Sequence, residues 1–463
     1  MMFLTLLLSV ALAAVPERTI TVSDQESFDA LDRQIHAALA KQPETLRVVI
    51  EPGTYRFHDD HLTFLSVDCP RTRLIIEGSG ATLVGTGPTV RFSSFSRLGR
   101  PVEIVDEEQK LCRIKTGQRL SGAGRLYVQV TSWYQLFTAP VIRKQGRYLY
   151  FTVDKLSRSA LGYNVNGDFT HAGRLPRFRL ARMDERSAEP VTAFLQVTAS
   201  TFRSLSLSGI TFESNTGGRT EYSKDCLLRF YKASFEEAVV EDCTFRSVQS
   251  DVIHIAYTDR VQVRHCRFQG CFQTGVLSYN HSAGTQVIDN QFVDMDISAA
   301  NKPCVQCSGT DYRIAGNRFT DYGNCAIAVG LHFSETMEKP ASGVVEGNEI
   351  SQTEAYRKQA PMNLLMDTGA IYVWTQNSSL LIRDNKIHDI SGPGENRGIF
   401  CDDGTVNTTI QDNVVERIAN SYCIDLRRVL SVETRPDSKI RQVNVGNRLV
   451  NNKVDGHVRF EVR

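Results

Sequence analysis

Two aspartates in the last third of the chain stand where acid–base chemistry is easiest to arrange. Asp402 follows the apolar run Gly398-Ile399-Phe400-Cys401, and Asp425 lies inside Cys423-Ile424-Asp425-Leu426. If both runs are strands on successive rungs of a stacked sheet, one rung and a two-residue offset place the carboxylates about 8 Å apart. That falls within the range of about 6.5–9.5 Å in which one carboxyl protonates a leaving sugar oxygen and the other activates water. Asp403 and Arg427 adjoin these runs, and Tyr372 and Trp374 lie in an earlier one, Ala370-Ile-Tyr372-Val-Trp374. Rings suit the C–H faces of sugars, and carboxylates and guanidinium groups suit their hydroxyls. The loop Gly392-Pro-Gly-Glu395-Asn-Arg397 adds a further acid and a further cation.

Stacked rungs require a repeat, and one is present. The pattern is apolar, two variable residues, Asn or Cys, one variable residue, apolar. It recurs eight times with its marked position at Cys243, Cys266, Asn290, Asn317, Asn348, Asn385, Asn413 and Asn452, and an earlier copy has Ile210 in that place. The spacing starts near 23 residues and lengthens irregularly, as coils with loops of variable length would produce. An Asn at one bend can satisfy its own turn and bond the Asn of the next rung, so six Asn in phase read as a ladder. The leucine-rich pattern L-x-x-L-x-L is absent.

Alternation then sorts the strands that follow each coil's loop. Val276, Val305, Ile327, Ile371, Ile399 and Ile424 point inward; Leu277, Gln306, Ala328, Tyr372, Phe400 and Asp425 form an outward column. A second outward column holds Tyr279, Ser308, Gly330, Trp374, Asp402 and Arg427, and His254 joins from an earlier coil. The expectation is one exposed face carrying Tyr372, Trp374, Asp402, Asp425 and Arg427, with His254 and Tyr279 further along as substrate contacts.

Elsewhere the chain supplies context. Residues 1–14 read as a signal peptide, with an apolar stretch Phe3–Leu12 and an Ala-Leu-Ala cleavage site but no Lys or Arg ahead of it. Residues 15–92 hold a cap and the first coils. There Ser27–Lys41 is apolar at helical spacing (Phe28, Leu31, Ile35, Leu39), suited to covering the solenoid's open end. Residues 93–193 lose the repeat and read as an inserted antiparallel β module; residues 194–463 form the main solenoid. With 53 basic and 52 acidic residues the net charge is +1, which argues against nucleic acid as a partner. No later apolar run is long enough for a membrane span. The 11 Cys are an odd count, and several fall inside strand patterns, so they read as buried thiols. Cys304 and Cys307 have C-x-x-C spacing, but strand alternation sends them to opposite faces, against a zinc or redox motif.

Taken together, the repeat resembles that of the right-handed parallel β-helix, or pectate-lyase-like, superfamily, over roughly residues 20–92 and 194–463. That resemblance implies an all-β solenoid. Asp367-Thr-Gly-Ala-Ile-Tyr372 resembles D-G-G-A-I-Y, and Gly398-Ile-Phe-Cys-Asp402-Asp403-Gly404 resembles G-I-Y-L-D-D-G. Both motifs occur in β-helix glycoside hydrolases of the α-fucosidase and xylanase type, and the resemblance implies Asp367 and Asp402 as catalytic carboxylates. The chain departs from it at Thr368, Phe400 and Cys401. Fully extended, Asp367 lies about 23 Å along its strand from the rung position of Asp402, so that pair needs a bend near Gly369. Glu395 stands at the same offset from Asp402.

A glycoside hydrolase using Asp367, Asp402 and Asp425 is the leading expectation. The substrate contacts would be Tyr372, Trp374, Arg427, Asp403, Glu395, Arg397, His254 and Tyr279, and no cofactor is required. Two alternatives stay open. A lyase acting on a uronic-acid polymer would need a base and a cation, with Ca²⁺ held by the acidic cluster. A non-catalytic glycan binder would use the same face. The metal ligands, the sugar and the oligomeric state are not specified by these residues.

Overall fold

The computed structural model describes residues 17–58, 61–85, 90–92, 96–97, 103–106, 108–116, 125–132, 135–152, 177–183, 193–213, 226–248, 250–279, 281–295, 303–323, 325–330, 341–359, 369–373, 377–391, 396–402, 405–419, 422–426 and 445–460. Three long parallel sheets of 12, 11 and 11 strands run side by side along the molecule. Each coil contributes one strand to each sheet. In one coil, Glu237–Glu241 lies in the first sheet, Thr244–Arg246 in the second and Asp251–Ala256 in the third. The next coil begins with Val261–Arg264, in register beneath Ala238–Glu241. This is the expected right-handed parallel β-helix.

The turn from the first sheet to the second explains the repeat. In the coils that carry the pattern it is two residues long, and its first residue adopts a left-handed backbone. Asp242 has φ 52°, Asp289 54°, Gly316 65°, Gly347 62° and Asp384 54°. Asp, Asn and Gly reach that region at least cost. The second residue is the Asn, and the ladder forms as expected. Asn290 Nδ2 donates to Asn317 Oδ1 at 3.0 Å, Asn317 to Asn348 at 3.0 Å, and Asn348 to Asn385 at 2.9 Å. Asn385 to Asn413 and Asn413 to Asn452 continue it at 2.9 Å each. Each Asn Nδ2 also donates to a carbonyl of the preceding rung, as Asn290 does to Val263 at 2.9 Å. Cys266 and Cys243 fill the same column and copy that donation weakly, to Val240 at 3.6 Å and Leu207 at 3.8 Å. A thiol is a weak donor and a weak acceptor, so it fills the asparagine's place with weaker bonds.

Inside the solenoid the apolar residue two places after the turn forms its own stack. Phe212, Phe245, Phe268, Phe292 and Phe319 lie with successive centroids 5.3, 4.8, 4.5 and 4.7 Å apart. All five are fully buried. All 11 cysteines are buried free thiols; Cys304 and Cys307, expected on opposite faces, are both inside.

At the N-terminal end the expected helix is two, Gln25–Asp29 and Leu31–Leu39, divided at Ala30. Asp24 caps the first by accepting from the Ser27 N–H at 2.8 Å. Phe28, Leu31 and Ile35 are wholly buried and Leu39 nearly so, and they join the solenoid core. A separate antiparallel sheet of eight strands, from Val90–Phe92 to Arg177–Met183, interrupts the coils. Among the described residues no helix is long and apolar enough to cross a membrane.

Candidate active site

Loop length locates the chemical wall. Turns from the first to the second sheet are short and uniform, whereas the segments that enter and leave the third sheet vary widely. The third sheet is therefore the one whose strands border variable segments at both ends. The outward column expected there exists. Arg229, His254, Leu277, Gln306, Ala328, Tyr372, Phe400 and Asp425 are in register strand by strand, and Arg459 extends the row. The inward set Val276, Val305, Ile327, Ile371, Ile399 and Ile424 is fully buried.

Asp402 sits one residue past the strand Ile399–Cys401, half-buried. Its N–H donates to the Val373 carbonyl at 3.1 Å, which extends the ladder. Its carbonyl accepts from the Thr405 hydroxyl at 2.6 Å and the Thr405 N–H at 3.1 Å, so the turn after it is pinned. The Tyr372 hydroxyl donates to Asp402 Oδ2. Tyr372 itself leans edge-on against Phe400, with centroids 5.4 Å apart. One carboxylate oxygen is thus held by a tyrosine, and the other is not engaged by any described neighbour.

Asp425 requires a correction. It lies on the outward column as expected but is 0% exposed. Arg397 Nε donates to its Oδ2 at 2.6 Å, and Arg459 reaches both oxygens at 2.7 and 2.8 Å. A carboxylate sealed between two guanidinium groups cannot meet a sugar, so the exposed Asp402–Asp425 pair does not exist. Arg397, expected at the substrate, is likewise only 2% exposed. Its guanidinium covers the Phe400 ring at 4.0 Å, which makes Phe400 an outward residue with no exposure. His254 is 9% exposed, also short of an open contact. For Asp425 and Phe400 the reason is shared: pointing away from the sheet is not the same as facing water when Arg397 folds back over both.

The glycines of both motif segments are packing requirements. A Cβ on Gly369 would lie 2.9 Å from the Phe400 Cβ, and one on Gly398 would lie 2.5 Å from the Cys423 carbonyl oxygen. Asp367, Trp374, Glu395, Asp403 and Arg427 lie outside the described residues, as does residues 1–14. Tyr279 ends the strand Val276–Tyr279, and its side chain is also outside the description. Arg459 was missed in the sequence. Its signal was available, since His457–Phe460 alternates as a strand one coil beyond Asp425.

A family model described as a right handed beta helix region matches residues 197–292. Among solved structures, a glycoside hydrolase superposes with a TM-score of 0.55 at 11% identity, covering 95% of this chain and 96% of its own. The surface adhesin PfbA of Streptococcus pneumoniae gives 0.42 at 10% identity, over 93% and 86% of the two chains. An exopolygalacturonase from Thermotoga maritima gives 0.41 at 10%, over 96% and 93%. No curated protein matches the chain in sequence. At these identities the likeness is one of fold, and the fold is the right-handed parallel β-helix.

Proposed function

We propose that the protein is an exported glycoside hydrolase that cleaves a polysaccharide lying along the outer face of the third sheet. The observation that carries this reading is Asp402: a half-buried carboxylate at a strand end, oriented by the Tyr372 hydroxyl, on the sheet whose strands are joined by segments of variable length. Tyr372 occupies Oδ2 and leaves Oδ1 for water or a sugar hydroxyl, the arrangement a general base requires. Asp367 supplies the acid in this proposal, because its motif segment runs into the strand Ile371–Val373, the rung next to Ile399–Cys401, and Asp425 is sealed. The Asp425–Arg397–Arg459 cluster serves as the rigid support that keeps Phe400, Tyr372 and Asp402 in place. A full-length structural likeness to a glycoside hydrolase accords with this assignment. Export rests on the apolar, Ala-Leu-Ala-terminated residues 1–14, and the N-terminal mass of the mature protein tests it.

The decisive assay incubates the protein with neutral and acidic polysaccharides and follows new reducing ends together with near-ultraviolet absorbance. Reducing ends without unsaturation, abolished in Asp402→Asn with unchanged thermal unfolding, are expected. Unsaturated products would make the protein a lyase. Binding without turnover would make it a glycan binder, and full activity in Asp402→Asn would remove that residue from the chemistry.

A further inference from the structure

The wall that carries Asp402 has a second, differently built patch toward the other end of the solenoid. On the strand Cys226–Tyr231, Leu228 and Phe230 are fully buried, so Arg229 and Tyr231 point outward. Tyr231 is in register with Ala256 and Tyr279, and the residue before each in its strand belongs to a column (Phe230, Ile255, Ser278, Cys307, Val329, Val373, Cys401) paired strand by strand up to the residue before Asp402. Six rungs separate the two ends, a span of about 29 Å at the usual strand spacing.

The patch is aromatic and cationic. Tyr231 meets Tyr257 edge-on at 5.9 Å, and Tyr257 meets His281 at 5.6 Å. Lys232 Nζ lies 5.3 Å from the Tyr231 ring and 5.7 Å from the Tyr257 ring, while the Arg229 guanidinium lies 5.0 Å from Tyr231. Tyr257 is 43% exposed, a large ring offered to solvent. Lys232 and Tyr257 also hold left-handed backbone, with φ 52° and 51°. Ser66 and Ala199 hold the same conformation at the equivalent turn of earlier coils, so it belongs to the turn that follows each of these strands.

The cations of this patch lack the cross-rung carboxylates that several first-sheet arginines have. On the first sheet, outward arginines are paired across rungs: Arg47 with Glu77 at 2.9 Å, Arg264 with Glu241 at 2.8 Å, and Arg313 and Arg383 with Glu346 at 2.7 Å each. Among the described residues no carboxylate pairs with Arg229 or Lys232. Their cations rest on rings instead, and Arg229 Nε is shielded from water without a hydrogen-bond partner. Rings beside unneutralised cations are what a sugar bearing an anionic group needs: a C–H face to stack and a charge to bind.

We propose that Arg229, Tyr231, Lys232 and Tyr257 form a binding subsite for an anionic sugar unit, a uronate or a sulfated residue. Resting on the polysaccharide reading above, this makes the substrate an acidic polymer that spans the wall from the patch to Asp402. Cleavage then occurs several units away from the unit that anchors the chain.

The test measures binding of polygalacturonate, dextran sulfate and neutral dextran to the full-length Asp402→Asn protein, with Lys232→Ala and Tyr257→Ala added singly on that background. Tight binding of one charged polymer over neutral dextran is expected, with a loss of tenfold or more in each added variant. Which of the two polymers binds distinguishes carboxylate from sulfate. Because screening weakens charge contacts, Lys232→Ala should lose its effect in high salt, whereas Tyr257→Ala should keep part of it. Equal affinity in parent and added variants, or preference for neutral dextran, overturns the proposal. The hydrolase reading is judged separately by turnover of the unsubstituted protein: loss of binding in the patch variants with full Asp402→Asn activity would sink only that reading.

Discussion

Replacing Asp425 by Asn removes a charge and almost nothing else, and the surroundings make the cost calculable. Asp425 is 0% exposed and Arg397 2%. Three charge-assisted hydrogen bonds of 2.6, 2.7 and 2.8 Å end on the carboxylate. Removing one partner of a buried ion pair leaves the other charge desolvated and costs about 3–5 kcal/mol. Converted at about 1.4 kcal/mol per tenfold, local opening becomes roughly a hundred- to several-thousand-fold more frequent. In a solenoid each coil touches only its neighbours, so the loss stays local. Hydrogen exchange should therefore quicken in Ile399–Cys401, Tyr422–Leu426 and His457–Phe460 while Leu195–Thr198 keeps its protection. The double variant Asp425→Leu, Arg397→Met removes the two buried charges and leaves only the part-exposed Arg459, so it should regain much of the loss and give a large coupling energy in the cycle. Turnover should fall only as far as the wall loosens. Unchanged exchange in those three strands together with abolished turnover would refute the reasoning, because Asp425 would then be a reagent and not a support.

Other outcomes follow from the same structure. Asn348 donates to Ile314 O and Asn385 Oδ1 and accepts from the Asn317 N–H and Nδ2. At about 1 kcal/mol per bond, Asn348→Ala should cost about 3–4 kcal/mol of local stability, and Asn348→Cys should cost less because a thiol fills this column in two natural coils; local exchange rates report both. Burial pushes the Cys271 and Cys307 thiols up to about 12, so a thiol reagent at pH 8 should label nothing in the native protein and all 11 cysteines after unfolding. The Arg417 guanidinium, bonded to Asp389 at 2.9 and 3.0 Å, holds that carboxyl well below the usual carboxylate range, with His388 adding to it. A depressed carboxyl contributes stability above its unfolded value and loses it as the pH falls. The margin of the native protein over Arg417→Met in thermal unfolding should therefore be steady above about pH 5 and close in more acidic buffer.

The sequence by itself determined the solenoid and its axis of repetition. Turn chemistry is local: an Asp, Gly or His in left-handed backbone followed by Asn or Cys can be read from four or five consecutive residues. Strand alternation is local as well, so the order of side chains along the outward column, from His254 to Tyr372, Phe400 and Asp425, was legible rung by rung. What only the tertiary structure decided is which of those side chains meet water. The loops between sheets follow no repeat, and their path over the wall depends on contacts between residues tens of positions apart. Arg397 and Arg459 close on Asp425 from 28 and 34 residues away in opposite directions along the chain. That closure turned an expected reagent into a support and left Asp402, one coil earlier, as the carboxylate held by Tyr372 at the surface.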